Sequence, residues 1–408
     1  MKSSSVSLFL MVDACGWEII KDQPFLQKVA PHRHKLRSVF GYSSACVPSI
    51  VSGNWPDQHE NWCYFIFDPE NSPFRSLRWL RFLPKKLTGR RIVRRLLTKI
   101  AKWKLGFEGY FDLYNIPFQH IHLYDFTEKK SPLRPGGMNC GTNIFDVLQE
   151  RNVPHFGSNP DVTEEENLSA VLSELKEGEI EFAFVYWAGL DGLLHRVGND
   201  APEIPEKLEH YESWIREVYD TASRSYENVD LYVFSDHGMA NCDKHLDLAA
   251  LIETLPLQFG RDYNVVYDST MARFWFSSDE ARELIAARLE SVEDGRILTN
   301  AELRELRVPV EKDRFGELIF LASEGVLIVP SHMGERPIRA MHGYHPDDPQ
   351  SYAALLTNVP ALPCEVEAIP HIHRLMLDSI NGTGMNKISK TNQYDDSNRK
   401  AGLEAIAQ

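Results

Sequence analysis

The stretch Val233-Phe234-Ser235-Asp236-His237-Gly238-Met239 decides how this chain is read. Leu231–Phe234 is a short run of apolar, β-branched and aromatic residues, the pattern of a strand buried on both faces. It delivers an Asp and a His side by side at its carboxyl end. In open α/β sheets that end faces the ligand crevice. A carboxylate next to a neutral imidazole suits Zn2+ or Mn2+. Gly238 is expected to let the backbone turn sharply beside the ion.

Three other stretches repeat the theme. Leu8-Phe9-Leu10-Met11-Val12-Asp13 is an apolar strand that ends in an acid. The strand run Phe182–Trp187 is followed by Asp191-Gly192-Leu193-Leu194-His195, whose Asp and His are four apart and so share one face of a helical turn. Met341-His342-Gly343-Tyr344-His345-Pro346-Asp347-Asp348 reads as a loop dense in ligand-type residues, and either His342 or His345 fits as the ligand. Singly, these are a capping Asp, a packed His or an Asp-rich turn. Together, Asp13, Asp191, His195, Asp236, His237 and His342 give three carboxylates and three imidazoles. That makes two three-ligand sets for a two-metal site with open positions for substrate. The Ser-rich stretch 41–53, with Ser43 and Ser44 ahead of a helical patch at Val47–Val51, supplies a nucleophile. A serine at a helix start and beside a cation loses its proton readily.

The 408 residues, with 43% hydrophobic and 25% charged content, suit a folded globular protein larger than one simple core. The net charge of −14 argues against binding duplex nucleic acid. That charge is unevenly spread, because residues 75–104 hold twelve Lys/Arg and no Asp or Glu. Six irregularly spaced cysteines with no CxxC pair argue against a disulfide framework or a Cys-based zinc module. The apolar run after Met1 is too short for a signal peptide, and no stretch has the roughly 18 apolar residues of a membrane span. A cytoplasmic protein, with possible peripheral contact to a membrane, is expected.

Alternating helix and strand patterns, with helices over Asn143–Arg151 and Leu168–Lys176 and a strand at Val153–Phe156, indicate βαβ units around a mainly parallel sheet. Asn54–Ser72 reads as loop. The catalytic α/β core is expected in residues 1–67, 136–250 and 336–380. Residues 251–335 read as a small α+β insertion, with strands at Thr270–Phe276, Leu318–Leu321 and Val326–Val329 and a helix Ser278–Glu290 capped by Ser278. Residues 68–135 read as an inserted basic cap, and 381–408 as a disordered polar tail.

The ordered set resembles the alkaline phosphatase superfamily, and within it the type I phosphodiesterase/nucleotide pyrophosphatase branch. The motifs that carry the resemblance are Asp13, Ser49-Ile50-Val51-Ser52-Gly53-Asn54-Trp55-Pro56-Asp57-Gln58-His59, Asp191 with His195, Ser235–Met239, and His342-Gly343-Tyr344. The resemblance implies a three-layer α/β/α sandwich with a mainly parallel central sheet. It implies one metal on Asp13, the nucleophile, Asp236 and His237, and a second on Asp191, His195 and His342. It selects His342 over His345. The family nucleophile lies nine residues before the Thr of its Thr-Gly pair, a place held here by Ser52, so the count gives Ser43, with Ser44 second. A phosphate-binding Asn is placed loosely at Asn61. Leu194 stands where the family has Gly, a change that nearby Gly192 is expected to make tolerable. Sulfatases share the superfamily, but Cys46 is out of register with the nucleophile and Ile50 replaces their Arg.

The expected activity is hydrolysis of a phosphodiester or pyrophosphate through a phosphoseryl intermediate. The rivals are a phosphomonoesterase or phosphotransferase on the same site, and a catalytically silent binding protein with this fold. In the basic stretch, Ile92, Leu96, Ile100 and Trp103 recur at helical spacing among Arg90, Arg91, Arg94, Arg95 and Lys99, with Trp79 in an earlier piece, Leu77–Leu83, set off by Pro84. Such a stretch fits an anionic lipid surface, the roof of a polyanion pocket, or a solvated face.

Overall fold

The strand Ser3–Val12 is central because its residues are apolar on both faces. Leu8 through Val12 are fully buried. Phe9 and Met11 enter one core, while Leu8, Leu10 and Val12 enter the other. Each such side chain contributes roughly 1.5–3 kcal/mol by leaving water. A computed structural model describes residues 3–82, 90–309 and 313–381 of the chain. The expected break at Pro84 and the polar tail beyond residue 381 lie outside the described residues, as does the side chain of Trp79.

Six strands form the main sheet in the order His32–Leu36, Ala353–Thr357, Tyr226–Phe234, Ser3–Val12, Phe182–Trp187, His155–Gly157. The last four are mutually parallel, and Ala353–Thr357 runs antiparallel to both its neighbours. Helices Ser43–Ser52 and Ile144–Glu150 cover one face, through Ala45, Ile50, Phe145 and Leu148. Helices Glu164–Glu177 and Glu203–Ser225 cover the other, through Val171, Leu208 and Ile215. The fold is thus the α/β/α sandwich expected. The register sets Val12 opposite Trp187 and Met11 opposite Phe234, so three strands end side by side. The segments that follow carry Asp13, Asp191 and the Asp236-His237 pair.

Several elements depart from the expectations. Asn54–Ser72, read as loop, holds the short helix Pro56–His59 and the strand Phe65–Phe67. The latter pairs with Tyr124–Phe126 and roots an aromatic cluster of Tyr64, Phe74, Phe107, Phe111 and Phe126. The strand expected at Val153–Phe156 lies at His155–Gly157, since Pro154 has no N–H to give a ladder.

Residues 263–322 form a separate four-stranded antiparallel sheet, in the order Tyr263–Tyr267, Met271–Phe276, Leu318–Ala322, Gly295–Ile297. Its helix Asp279–Glu290 starts where the Ser278 side chain accepts from the Ala281 N–H. Arg273, fully buried, pairs with Asp268 at 2.9 Å and donates to the Phe65 carbonyl, tying this sheet to the aromatic cluster.

Candidate active site

Asp13, Asp236, His237 and His195 are each held by one atom and present another. Asp236 is fully buried, and its Oδ1 accepts from the backbone N–H of Ala14 (3.2 Å) and of His237 (3.1 Å). Asp13 accepts from the Tyr186 hydroxyl on Oδ2. His237 Nδ1 bonds the Gly238 carbonyl at 2.9 Å, and His195 Nδ1 bonds that of Ala340 at 2.8 Å. Such bonds leave Nε2 as the free nitrogen of both rings. Left without a hydrogen-bond partner are Asp13 Oδ1, Asp191 Oδ1 and Asp236 Oδ2, three buried carboxylate oxygens.

These free atoms converge. Asp191 Oδ1 lies 3.2 Å from His195 Nε2 and 3.5 Å from His342 Nε2. His237 Nε2 lies 3.1 Å from Asp236 Oδ2 and 3.5 Å from Asp13 Oδ1. In two groups, one ligand atom from each residue lies within 4.8 Å of the others: Asp191, His195 and His342, and Asp13, Asp191 and His237. The rings of His237 and His342 stack at 3.7 Å, which joins the groups into one cluster. Asp191 belongs to both, which the sequence did not indicate.

Buried carboxylate oxygens with no partner cost several kcal/mol unless a cation meets them. Oxygen and imidazole nitrogen donors at these spacings fit divalent transition-metal ions. The clustered carboxylates draw positive charge to the site. Burial, followed by the Asp236 and Asp191 charges, raises the Asp13 carboxyl well above the usual range. Burial pulls His237 down, but Asp236 and Asp13 override it and push the imidazole up to about 10. Burial, aided by His237 and His195, holds His342 far below its ordinary value and keeps that ring neutral.

Ser43 is the first residue of helix Ser43–Ser52, and its Oγ lies 3.0 Å from His237 Nε2. The first N–H groups of a helix have no intrahelical acceptor, so this end favours an anion. Ser44 turns away toward the Trp62 carbonyl, at 3.5 Å. Cys46 is buried in the core below, its thiol raised by desolvation. His345 also stays outside the cluster, in a turn where its backbone N–H donates to Asp348. Asn61 is buried one residue before Trp62; its Oδ1 accepts from the Asn139 N–H and its Nδ2 has no partner.

Two glycines have reasons other than those expected. A Cβ on Gly238 would sit 2.1 Å from the Gln350 carbonyl, so the residue is demanded by close approach and not by a positive φ. Gly192 meets nothing within 4 Å and compensates for nothing. Leu194 is tolerated because it points into the core beside Leu190, while Asp191 and His195 occupy another face of helix Gly189–Val197.

Sequence reading missed the supports. Tyr186 is hidden inside an apolar run, and only its register opposite Met11 brings its hydroxyl to Asp13. Tyr42 packs edge-on against His342, and its hydroxyl meets Thr270, which also donates to the Gly343 carbonyl. Thr270 belongs to the second sheet's hairpin, so that sheet steadies the His342 loop.

Fold and site together define an alkaline-phosphatase-type phosphohydrolase scaffold. A family model described as type I phosphodiesterase/nucleotide pyrophosphatase matches residues 7–345. The chain belongs to that family, which is metal-dependent, and is an enzyme of the phosphodiesterase/pyrophosphatase class. Among solved structures it is similar to human ectonucleotide pyrophosphatase/phosphodiesterase 5, with 15% identity, a TM-score of 0.64, and coverage of 93% of this chain and 95% of that one. An inactive variant of the murine protein, solved in complex with AMP, matches at 16% identity with the same TM-score and coverage.

Proposed function

We propose that the chain hydrolyses phosphodiester or pyrophosphate bonds through a phosphoseryl intermediate on Ser43, with two divalent cations, Zn2+ in first place and Mn2+ in second. The observation that carries this is the pairing of partner-held side chains with unpartnered ligand atoms, converging beside Ser43 Oγ. Asp13, Ser43, Asp236 and His237 would hold one ion, and Asp191, His195 and His342 the other. Asp191 stands near enough to both groups to share. Bound there, the ions would supply charge neutralisation at the attacking and leaving oxygens.

The chain's own residues do the rest. Ser43 Oγ forms a bond to phosphorus as the leaving-group oxygen departs in line, and water then cleaves the phosphoseryl ester. The free N–H groups at the start of helix Ser43–Ser52 meet the charge on the phosphoryl oxygens. The unpartnered Nδ2 of Asn61 donates to one of those oxygens. Asn61→Ala is expected to lower kcat/KM on a diester by about 10–100-fold, the worth of one such donor. Steady-state kinetics check it, and an unchanged kcat/KM would remove Asn61 from the site.

A nucleotide-type ester is favoured as substrate, since the murine relative is seen with AMP. The division into a core (1–67, 136–250, 336–380), a cap (68–135) and an insertion (251–335) is kept as part of the proposal. We separately propose a cytoplasmic location with peripheral membrane contact through residues 75–104. Cys15, Cys46 and Cys63 are buried free thiols, and among the described residues no helix is long and apolar enough to cross a membrane.

Assays with bis-p-nitrophenyl phosphate and p-nitrophenyl phosphate, each with Zn2+ and Mn2+, test the reading. Faster turnover of the diester is expected. Preference for the monoester would favour the phosphomonoesterase rival. Turnover of neither ester with either metal would leave the silent binding protein.

A further inference from the structure

Helix Arg91–Leu105 has two faces with different fates. Leu97, Ala101 and Leu105 pack against the aromatic cluster of the cap region. Thr98 donates to Asp112 at 3.0 Å, and Arg94 donates to the carbonyls of Tyr114 and Ile116. These residues lie on one side and fix the helix to the body. At 100° per residue, Ile92, Leu96, Ile100 and Trp103 fall on nearly the opposite side. They are 82%, 57%, 46% and 84% exposed. The apolar stripe that ordinarily faces a core faces outward here.

Cations flank that stripe. Arg95 and Lys99 are exposed along one edge, with Lys102 beside them, and Lys104 lies across the other. The whole stretch 75–104 contains no Asp or Glu to neutralise them. Four large apolar side chains in one exposed stripe are unusual for a solvated surface. A solvated face also gains nothing from Trp103 at its centre. A polyanion pocket would need the cations and not the stripe. An anionic bilayer needs both, because the apolar residues enter the acyl boundary while Lys and Arg meet the headgroup phosphates.

We propose that helix Arg91–Leu105 docks the enzyme on an anionic membrane, lying in the interface with Ile92, Leu96, Ile100 and Trp103 inserted. The anchored face orders the helix before it binds, so docking requires no folding step. The docking is independent of the hydrolytic reading.

Co-sedimentation with phosphatidylcholine vesicles, with and without phosphatidylglycerol, tests the docking using the full chain. Binding is expected only with the anionic lipid, weakening as salt is raised. The triple variant Ile92→Gln/Leu96→Gln/Trp103→Gln is expected to lower the partition coefficient by about tenfold or more. Its thermal melt should match wild type, because all three residues are exposed. Arg95→Gln/Lys99→Gln/Lys102→Gln should flatten the salt dependence. Equal binding to both vesicle types, or to neither, overturns the proposal. So does a triple variant that partitions like wild type. If sedimentation velocity instead shows a dimer that the triple variant dissociates, without vesicle binding, a second copy of the chain covers the stripe. Vesicle binding without turnover of any ester would leave the docking standing and remove the hydrolytic reading.

Discussion

Ser43→Ala is expected to lower kcat on a diester by at least about 10³-fold while leaving bound metal unchanged. The substitution removes the only atom of Ser43 that reaches the cluster, its Oγ at 3.0 Å from His237 Nε2. It keeps the helix, because Ser43 provides no side-chain cap there: the residue before the helix is Tyr42, and no side-chain cap bond is made. The same substitution at Ser44 should be nearly silent toward chemistry, since that hydroxyl points at the Trp62 carbonyl. Single-turnover trapping of labelled phosphate separates the two serines. Label on wild type and on Ser44→Ala, but not on Ser43→Ala, is the expected pattern. Full activity in Ser43→Ala would move the nucleophile elsewhere.

The second large effect belongs to Asp191. This carboxylate lies in both ligand groups, with His195 and His342 on one side and Asp13 and His237 on the other. Asp191→Ala should therefore weaken both ions, whereas Asp236→Ala should chiefly weaken the one beside Asp13 and His237. Loss of a bridging ligand is expected to cost at least about 100-fold in metal affinity, by comparison with the 10–100-fold typical of losing a mere supporting bond. Isothermal titration with Zn2+ reads this without any turnover. Two tight sites in Asp191→Ala, as in wild type, would show that the residue bridges nothing.

Much of this arrangement was legible in the sequence, for physical reasons. A strand buried on both faces reads as an unbroken apolar run, so Leu8–Val12, Phe182–Trp187 and Leu231–Phe234 announce themselves, and the acids after them stand out by contrast. Strands His32–Leu36 and Ala353–Thr357 lie outside the expected elements. His32–Leu36 is mostly half-exposed and reads His-Arg-His-Lys-Leu, and it is a strand because Ala353–Thr357 pairs with it. Helix Glu203–Ser225, the longest among the described residues, also lies outside the expected elements, although Ile204, Leu208, Tyr211, Ile215, Val218 and Ala222 keep helical spacing throughout.

The site's supports were illegible for a different reason. Tyr186, Thr270 and the Ala340 carbonyl act through contacts set by register and loop packing, which no local pattern encodes. The basic helix was legible as amphipathic, but its orientation was not. Periodicity finds an apolar stripe and cannot say whether a core or a surface receives it. Here Leu97 and Ala101 took the core, and Ile92, Leu96, Ile100 and Trp103 were left outside.

On the proposed reading, the three carboxylates and three imidazoles that follow the strand ends hold two ions. Metal analysis of the wild-type chain, purified with Zn2+ and freed of loosely bound ion, tests it most directly. Two ions per chain are expected, and a chain that carries none would rule out the two-ion site.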